Sequence, residues 1–196
     1  MNKSHFLTAL KAASAFMAKN DVRYYLNGIL FDFQPGELRL VATDGHVLFT
    51  ARLEFENDYT GNHIISGADI TKMQKLYTHK DPTIALQFAF LDDCSAIEIS
   101  DGPLSFKICL VDGVFPDWKR VIPKREKTDD AGQTIGINTA YLAKVAKALE
   151  PLTGKFNGVR MDVFGPDKSI KFEPNLPSDL AITITECYAV IMPMRL

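Results

Sequence analysis

No stretch of this 196-residue sequence stays apolar for the roughly 20 residues that a membrane-spanning helix needs. The N-terminal MNKSHFLTALKAASAF interleaves Thr8, Lys11 and Ser14 with its apolar residues, so it lacks the uninterrupted core of a signal peptide. It reads instead as a first helix. The three cysteines, Cys94, Cys109 and Cys187, share no CxxC spacing. They are expected to be buried free thiols of a reducing, cytoplasmic compartment. The four histidines have no metal-ligand spacing, and no cofactor or metal site is expected. GxSxG, HExxH, a GxxxxGK[ST] phosphate loop and a GxGxxG after a strand are all absent. A net charge of −2 does not describe a nucleic-acid binder as a whole, so any basic surface must be local. The chain's last stretch, YAVIMPMRL, has no polar tail, which suits either a core strand or a strand that lines something.

What is present is a repeated pattern. A helix from about Ser4 to Lys19 sets Phe6, Leu10, Ala13 and Met17 on one side, and Ser4, Thr8, Lys11, Ala15 and Lys19 on another. No acidic residue precedes Asp21, so its outer face is small and basic. Tyr24 to Phe33 and Gly36 to Arg52 then read as strands broken by Pro35-Gly36 and Asp44-Gly45. The second cycle has a short strand at HIIS and a Ser66/Asp69 capping start. Its helix, Gly67 to Tyr77, turns Ile70, Met73 and Tyr77 inward; the strands TIALQFAF, AIEIS and LSFKICL follow. The third has TIGI, Asn138 as N-cap, and a helix to about Glu150 striped by Leu142, Val145 and Leu149. GVRMDVF, KSIKF, LAITITE and YAVIMPM follow as strands. A unit of about 60 residues is longer than solenoid repeats. It fits βαβββ modules that pair into α+β domains with helices on one face. The expected organisation is a two-module domain at 1–123, a linker at 124–133 and one further module at 134–196.

Asp44-Gly45-His46 places a carboxylate beside an imidazole, which could serve acid–base chemistry. With no nucleophile or second base indicated, a plain turn is the favoured reading. Arg23-Tyr24-Tyr25 combines a cation with rings that could meet phosphate or stack on bases. The helical lysines, Lys11, Lys19, Lys72, Lys75, Lys144 and Lys147, are solvated charges singly; a shared helical face would combine them into one basic surface.

Four stretches in order, RYYLNG (Arg23 to Gly28), LRLVATDGH (Leu38 to His46), LVDGVFPDWKRVIPK (Leu110 to Lys124) and YAVIMPMRL (Tyr188 to Leu196), closely resemble the bacterial DNA polymerase III β sliding clamp family. Residues 1 to about 123 resemble its middle domain, and those from about 133 the second half of its third domain. The resemblance implies a DNA-clamp-like α+β fold of three βαβββ modules, one and a half clamp domains. It also implies a non-catalytic role in DNA replication, with helices facing double-stranded DNA. Clients of the family, DNA polymerase and repair proteins, insert a short Gln-Leu/Phe-type motif into a cleft between the middle and third domains. Carried over by motif, the cleft comprises Leu26, Thr43, Gly45, His46, Val47, Leu48, Pro116, Arg120, Val121, Val190, Met192, Pro193, Met194, Arg195 and Leu196. The family typically has Arg where this chain has Val47, which would remove one donor from the cleft. By the same carry-over, Arg23, Tyr24 and Tyr25 would stand near the DNA channel.

The resemblance further implies that the family's head-to-tail dimer would not form from this chain, since the parts that join are not represented. Two functions follow as rivals: a peptide-binding regulator or partial clamp, and a DNA-encircling factor assembled from an unusual dimer or tetramer. A hydrolase using Asp44 and His46, and a folded product that binds nothing, complete the alternatives.

Overall fold

The computed structural model describes residues 1–76, 87–90, 96–101, 104–123, 135–154, 158–165 and 167–194. The expected linker, together with Thr134, Tyr77, residues 83–86 of TIALQFAF, Cys94, Arg195 and Leu196, lies outside them. The architecture is α+β. The first module comprises α1 (Lys3–Ser14), β1 (Gly28–Gln34), β2 (Glu37–Thr43) and β3 (Val47–Glu54). The second comprises β4 (Gly61–Ser66), α2 (Gly67–Leu76), β5 (Gln87–Phe90), β6 (Ala96–Asp101) and β7 (Leu104–Val111). The third comprises α3 (Thr139–Leu149), β8 (Val159–Asp162), β9 (Ile170–Pro174), a helical turn α4 (Ser178–Ala181) and β10 (Ile184–Ile191).

The ten strands of the described residues form one antiparallel sheet in the order β5-β6-β7-β4-β1-β2-β3-β10-β9-β8. Strand alternation gives it two distinct faces. Ile29, Phe31 and Phe33 of β1, Leu38, Leu40 and Ala42 of β2, and Val47, Phe49 and Ala51 of β3 point beneath the helices into the main core. Phe6, Ala9, Leu10 and Ala13 of α1 meet them. Each fully buried Phe or Leu contributes about 1.5–3 kcal/mol, so this layer supplies most of the driving force. Leu30, Val41, Leu48, Ile64, Tyr188 and Val190 point the other way and form a second cluster on the outer face. Gly28 lets β1 approach β4 closely, because a Cβ there would lie 2.4 Å from the Ile65 carbonyl oxygen.

Side chains cap the three longer helices, α2 and α3 at the residues expected from sequence and α1 at Asn2, which was not anticipated. Asn2 accepts from the His5 amide (3.1 Å), Asn138 from the Ala140 amide (2.9 Å), and Ser66 from the Asp69 amide (3.1 Å) while donating to Asp69 Oδ2 (2.8 Å).

Several local expectations are corrected. Helix α1 ends at Ser14 rather than Lys19, because Phe16 turns inward to stack on Phe49, 5.4 Å between ring centroids. Tyr24–Leu26 form one 3-10 turn, not strand, closed by the Asn27 side chain bonding the Asp21 backbone at both its amide (3.0 Å) and its carbonyl (2.9 Å). LAITITE and YAVIMPM are not two strands: Leu180 and Ala181 belong to α4, and β10 runs unbroken apart from an irregularity between Ile184 and Glu186. Leu142 is 41% exposed, so the buried stripe of α3 is Val145, Ala148 and Leu149. Cys109 is exposed because its neighbour Ile108 takes the inward position on β7; Cys187 is buried as expected.

The third module is stitched to the first along β3 and β10, paired from Val47–Ile191 through Leu53–Ile184. At the end of that seam stands the turn between β2 and β3. Asp44 Oδ1 accepts from the amides of His46 (2.9 Å) and Val47 (3.0 Å), and Oδ2 accepts from Lys144 Nζ of α3 (2.6 Å). Gly45 supplies the positive φ of +92° that the turn demands. Thr43 Oγ1 donates to the Val47 carbonyl (2.8 Å), the His46 ring stacks on Tyr141, and the His46 carbonyl accepts from the Met192 amide (3.0 Å). Burial alone would raise the Asp44 carboxyl; the Lys144 ammonium and the two amides outweigh it and hold it below its ordinary value.

This joint predicts that Asp44→Asn, which keeps a turn acceptor but removes the charge facing Lys144, costs about 1–3 kcal/mol at pH 7 by urea unfolding. A carboxyl depressed in the folded state stabilises above its unfolded value near ~3.9 and loses that effect as pH falls through the folded value. The gap between wild type and variant should therefore close in acid.

Candidate functional site

The outer face of the sheet is crossed by residues 112–123, which follow β7. Phe115, Trp118, Val121 and Ile122 of this segment pack on the outer cluster. Trp118, the chain's one tryptophan, is buried there under the Arg39 guanidinium, 5.5 Å from its ring centroid. Arg39 also pairs with Glu186 of β10 at 2.7 Å, so the strap and the seam share one cation. Lys171 lies 4.5 Å from the Tyr188 ring centroid. Burial first, then the Glu186 and Glu173 carboxylates, push the Tyr188 hydroxyl well above its ordinary value, so it stays protonated.

Between this strap and the end of β10 runs an open groove of about 650 Å³. Asp117 and Lys119 to Pro123 form one wall, Met192 and Pro193 the other, and Asp167 to Ser169 close one end. Ser169 Oγ donates to the Val121 carbonyl at 2.8 Å and ties that end to the strap. The rim is mixed in charge: Lys119, Arg120 and Lys168 against Asp117 and Asp167, with Arg120 Nε held by Asp117 at 2.9 Å.

Of the residues assigned to a cleft from sequence, Arg120, Val121, Met192 and Pro193 line this groove directly. Leu48 and Val190 are fully buried in the outer cluster on which Val121 and Met192 pack. Pro116 is exposed on the strap, and Met194, 47% exposed, bridges to Gly136 through its amide (2.9 Å). Gly45 and His46 are exposed at the joint; Thr43 and Leu26 are buried, the former tied into the β2–β3 turn. Val47 is different. Its side chain is fully buried in the main core beneath the helices, in phase with Phe49 and Ala51, so it is no wall of the groove. Asp167, Lys168 and Ser169 were not anticipated. They belong to a turn 48 residues from Val121, and no local signal links the two.

On the opposite side α1 packs against both α2 and α3. Gln74 Nε2 reaches Ser14 Oγ (3.2 Å) and the Leu10 carbonyl (3.4 Å) between α1 and α2, and Lys144 passes 5.9 Å from the Phe16 ring centroid. The anticipated basic residues divide. Lys11, Lys19, Lys72, Lys75 and Lys147 are exposed. Lys72 pairs with Asp69 at 2.9 Å, and Lys144 is committed to Asp44. Lys19 lies beyond the end of α1. Arg23 is held by Asp21, whose carboxyl is lowered to about 2 chiefly by the guanidinium's hydrogen bonds. Tyr24 is exposed and meets Tyr25 edge-on, while Tyr25 packs toward the outer cluster rather than the helices. Among the described residues no group of His, Cys, Asp and Glu could hold a metal ion, and no helix is long and apolar enough to cross a membrane.

Comparison with known proteins gives this architecture its relatives. The family profile of the DNA polymerase III beta subunit, central domain, matches residues 1–117. The beta sliding clamp of Salmonella typhimurium is 34% identical over 163 residues, 82% of this chain and 42% of that protein. The chain thus spans less than half the length of the relative. The crystal structure of the Pseudomonas aeruginosa sliding clamp superposes on the whole chain and 66% of its own, with a TM-score of 0.81 at 24% identity. A structure of the clamp from the same organism bound to griselimycin superposes with a TM-score of 0.69 at 22% identity, over the whole chain and 64% of its own. Sharing a family profile over more than half its length and a third of its aligned residues with a curated relative, the chain belongs to the DNA polymerase III beta subunit, or sliding clamp, family.

Proposed function

We propose that the chain is a non-catalytic clamp module whose outer groove receives short linear motifs of DNA polymerase and repair proteins, acting as a regulator or partial clamp. The observation that carries this is the open groove between Arg120–Pro123 and Met192–Pro193, seated beside an apolar cluster and rimmed with charge of both signs. Its chemistry suits such a ligand. Leu or Phe anchors gain from burial against Val121, Ile122 and Met192. The thioether of Met192 adapts to either shape. Asp44 is taken up by two amides and Lys144, which leaves the hydrolase reading without a free carboxylate to orient His46.

Trp118 sits between groove residues Asp117 and Lys119, so its fluorescence reports occupancy. Titration with a synthetic peptide carrying Gln followed by Leu and Phe anchors is expected to saturate. Val121→Ala and Met192→Ala should each weaken binding about tenfold, equivalent to about 1.4 kcal/mol. Lys11→Ala, on the far face, should leave it unchanged. Absence of saturable binding, or indifference to both groove variants, overturns the proposal.

A second reading, a DNA-encircling processivity factor formed by several copies, is favoured by one observation: the three helices share a face on which Lys11, Lys72, Lys75 and Lys147 are exposed. Arg23, Lys72 and Lys144 are each paired with a carboxylate, which offsets their charge on that face. Retention on circular DNA that is lost on linearisation is the expected signature. The double variant Lys11→Ala/Lys147→Ala should reduce the dependence of log affinity on log salt by about 2. Equal behaviour on circular and linear DNA would remove this reading.

A further inference from the structure

The two edges of the sheet differ. At one, β5 turns Phe88 and Phe90 toward the core. At the other, β8 leaves apolar side chains open to solvent: Val159 is 38% exposed, Met161 53% and, just beyond the strand, Val163 46%. Among the described residues no strand pairs with the outer side of β8. An exposed apolar edge with unpaired backbone groups is a template for another strand. Residues 160 to 164 also line an open depression of about 530 Å³ along this edge.

The order of side chains along the edge identifies the strand that fits. Val159-Arg160-Met161-Asp162-Val163 is symmetric in apolar character and antisymmetric in charge about Met161. Laid antiparallel on a second copy with the two-fold axis at Met161, Val159 faces Val163, Arg160 faces Asp162 and Met161 faces itself. Every cross-strand neighbour is then apolar with apolar or cation with anion, the pairing that stabilises antiparallel ladders. A shift of one residue would set charge against apolar side chains and turn the apolar set to the wrong face. Arg160 and Glu173 face each other across β8 and β9 and form an ion pair, while Met161 faces Phe172 of the main core. The paired copies would therefore continue the core-side apolar surface on one face and a line of alternating charge on the other. Within one chain Arg160 already reaches Asp162 (3.2 Å), so both charges are held in place at the edge before any partner arrives.

We propose that β8 is an isologous self-association edge, through which two copies of this chain join their sheets about a two-fold axis at Met161. This goes beyond the groove reading and does not depend on it, since no residue of β8 or of the depression beside it lines the groove.

The test is mass by light scattering at micromolar concentration, combined with charge reversal. Wild type should run at twice the mass of one chain. Arg160→Asp places two anions opposite each other at both symmetric positions, and Asp162→Arg two cations; each should give the single-chain mass. The double reversal Arg160→Asp/Asp162→Arg restores opposite neighbours and should restore the doubled mass, a rescue that misfolding cannot produce. Independently, Met161→Cys in a Cys94→Ser/Cys109→Ser background should form an interchain disulfide on mild oxidation, because the residue meets its own copy on the axis. A wild-type single-chain mass, a doubled mass indifferent to both single reversals, a failed rescue in a variant with wild-type circular dichroism, or no cross-link at 161 each overturns the proposal.

Discussion

The arrangement depends on one partly buried carboxylate. Asp44 is held from two sides, by the His46 and Val47 amides that fix the β2–β3 turn and by Lys144, which brings α3 down onto it; the turn's His46 carbonyl receives the Met192 amide from the end of β10. Desolvating an anion is costly unless its acceptor capacity is used, and here it is. The seam between β3 and β10 aligns the apolar faces of two modules and ends at the Val47–Ile191 pair beside the turn. Asp44 ties α3 to that end through Lys144, and the neighbouring His46 carbonyl holds Met192, where the groove's second wall begins.

The outer face shows the same economy of cations. Arg39 caps the Trp118 ring while pairing with Glu186, so the strap at 112–123 and strand β10 are fixed by one guanidinium whose planar fork can serve a ring and a carboxylate together. The strap becomes part of a groove because it packs on residues that strand alternation turns outward, Leu30, Leu48 and Val190 among them. A sheet with apolar residues on both faces must cover both. The helices cover one, and the strap covers only part of the other.

Much of this was legible in sequence because local signals and tertiary fate agree there. The helix starts at Ser66 and Asn138 carried their own caps, and the β-forming runs broken at Pro35-Gly36 and Asp44-Gly45 marked the strands of the first module. The TDGH turn and the terminal apolar strand could be paired across the chain only through their resemblance to a family. Failures fell where tertiary packing overrode local pattern. Phe16 leaves the helical register to reach Phe49, and Leu142 has the spacing of a core residue but stays exposed. Val47 was read as a wall since it follows the turn motif; the two-residue period of β3 sends it inward instead. The Asp167–Ser169 contribution was invisible, being a turn whose role comes only from its contact with Val121.

The central claim is that the outer groove, and not the helical face or the sheet edge, receives the linear motif. Hydrogen–deuterium exchange of the chain with and without the Gln-Leu/Phe peptide tests it directly. Protection confined to residues 118–123, 167–170 and 190–194 is the predicted result. Protection along α1 and α2, along β8 alone, or nowhere at saturating peptide would contradict it.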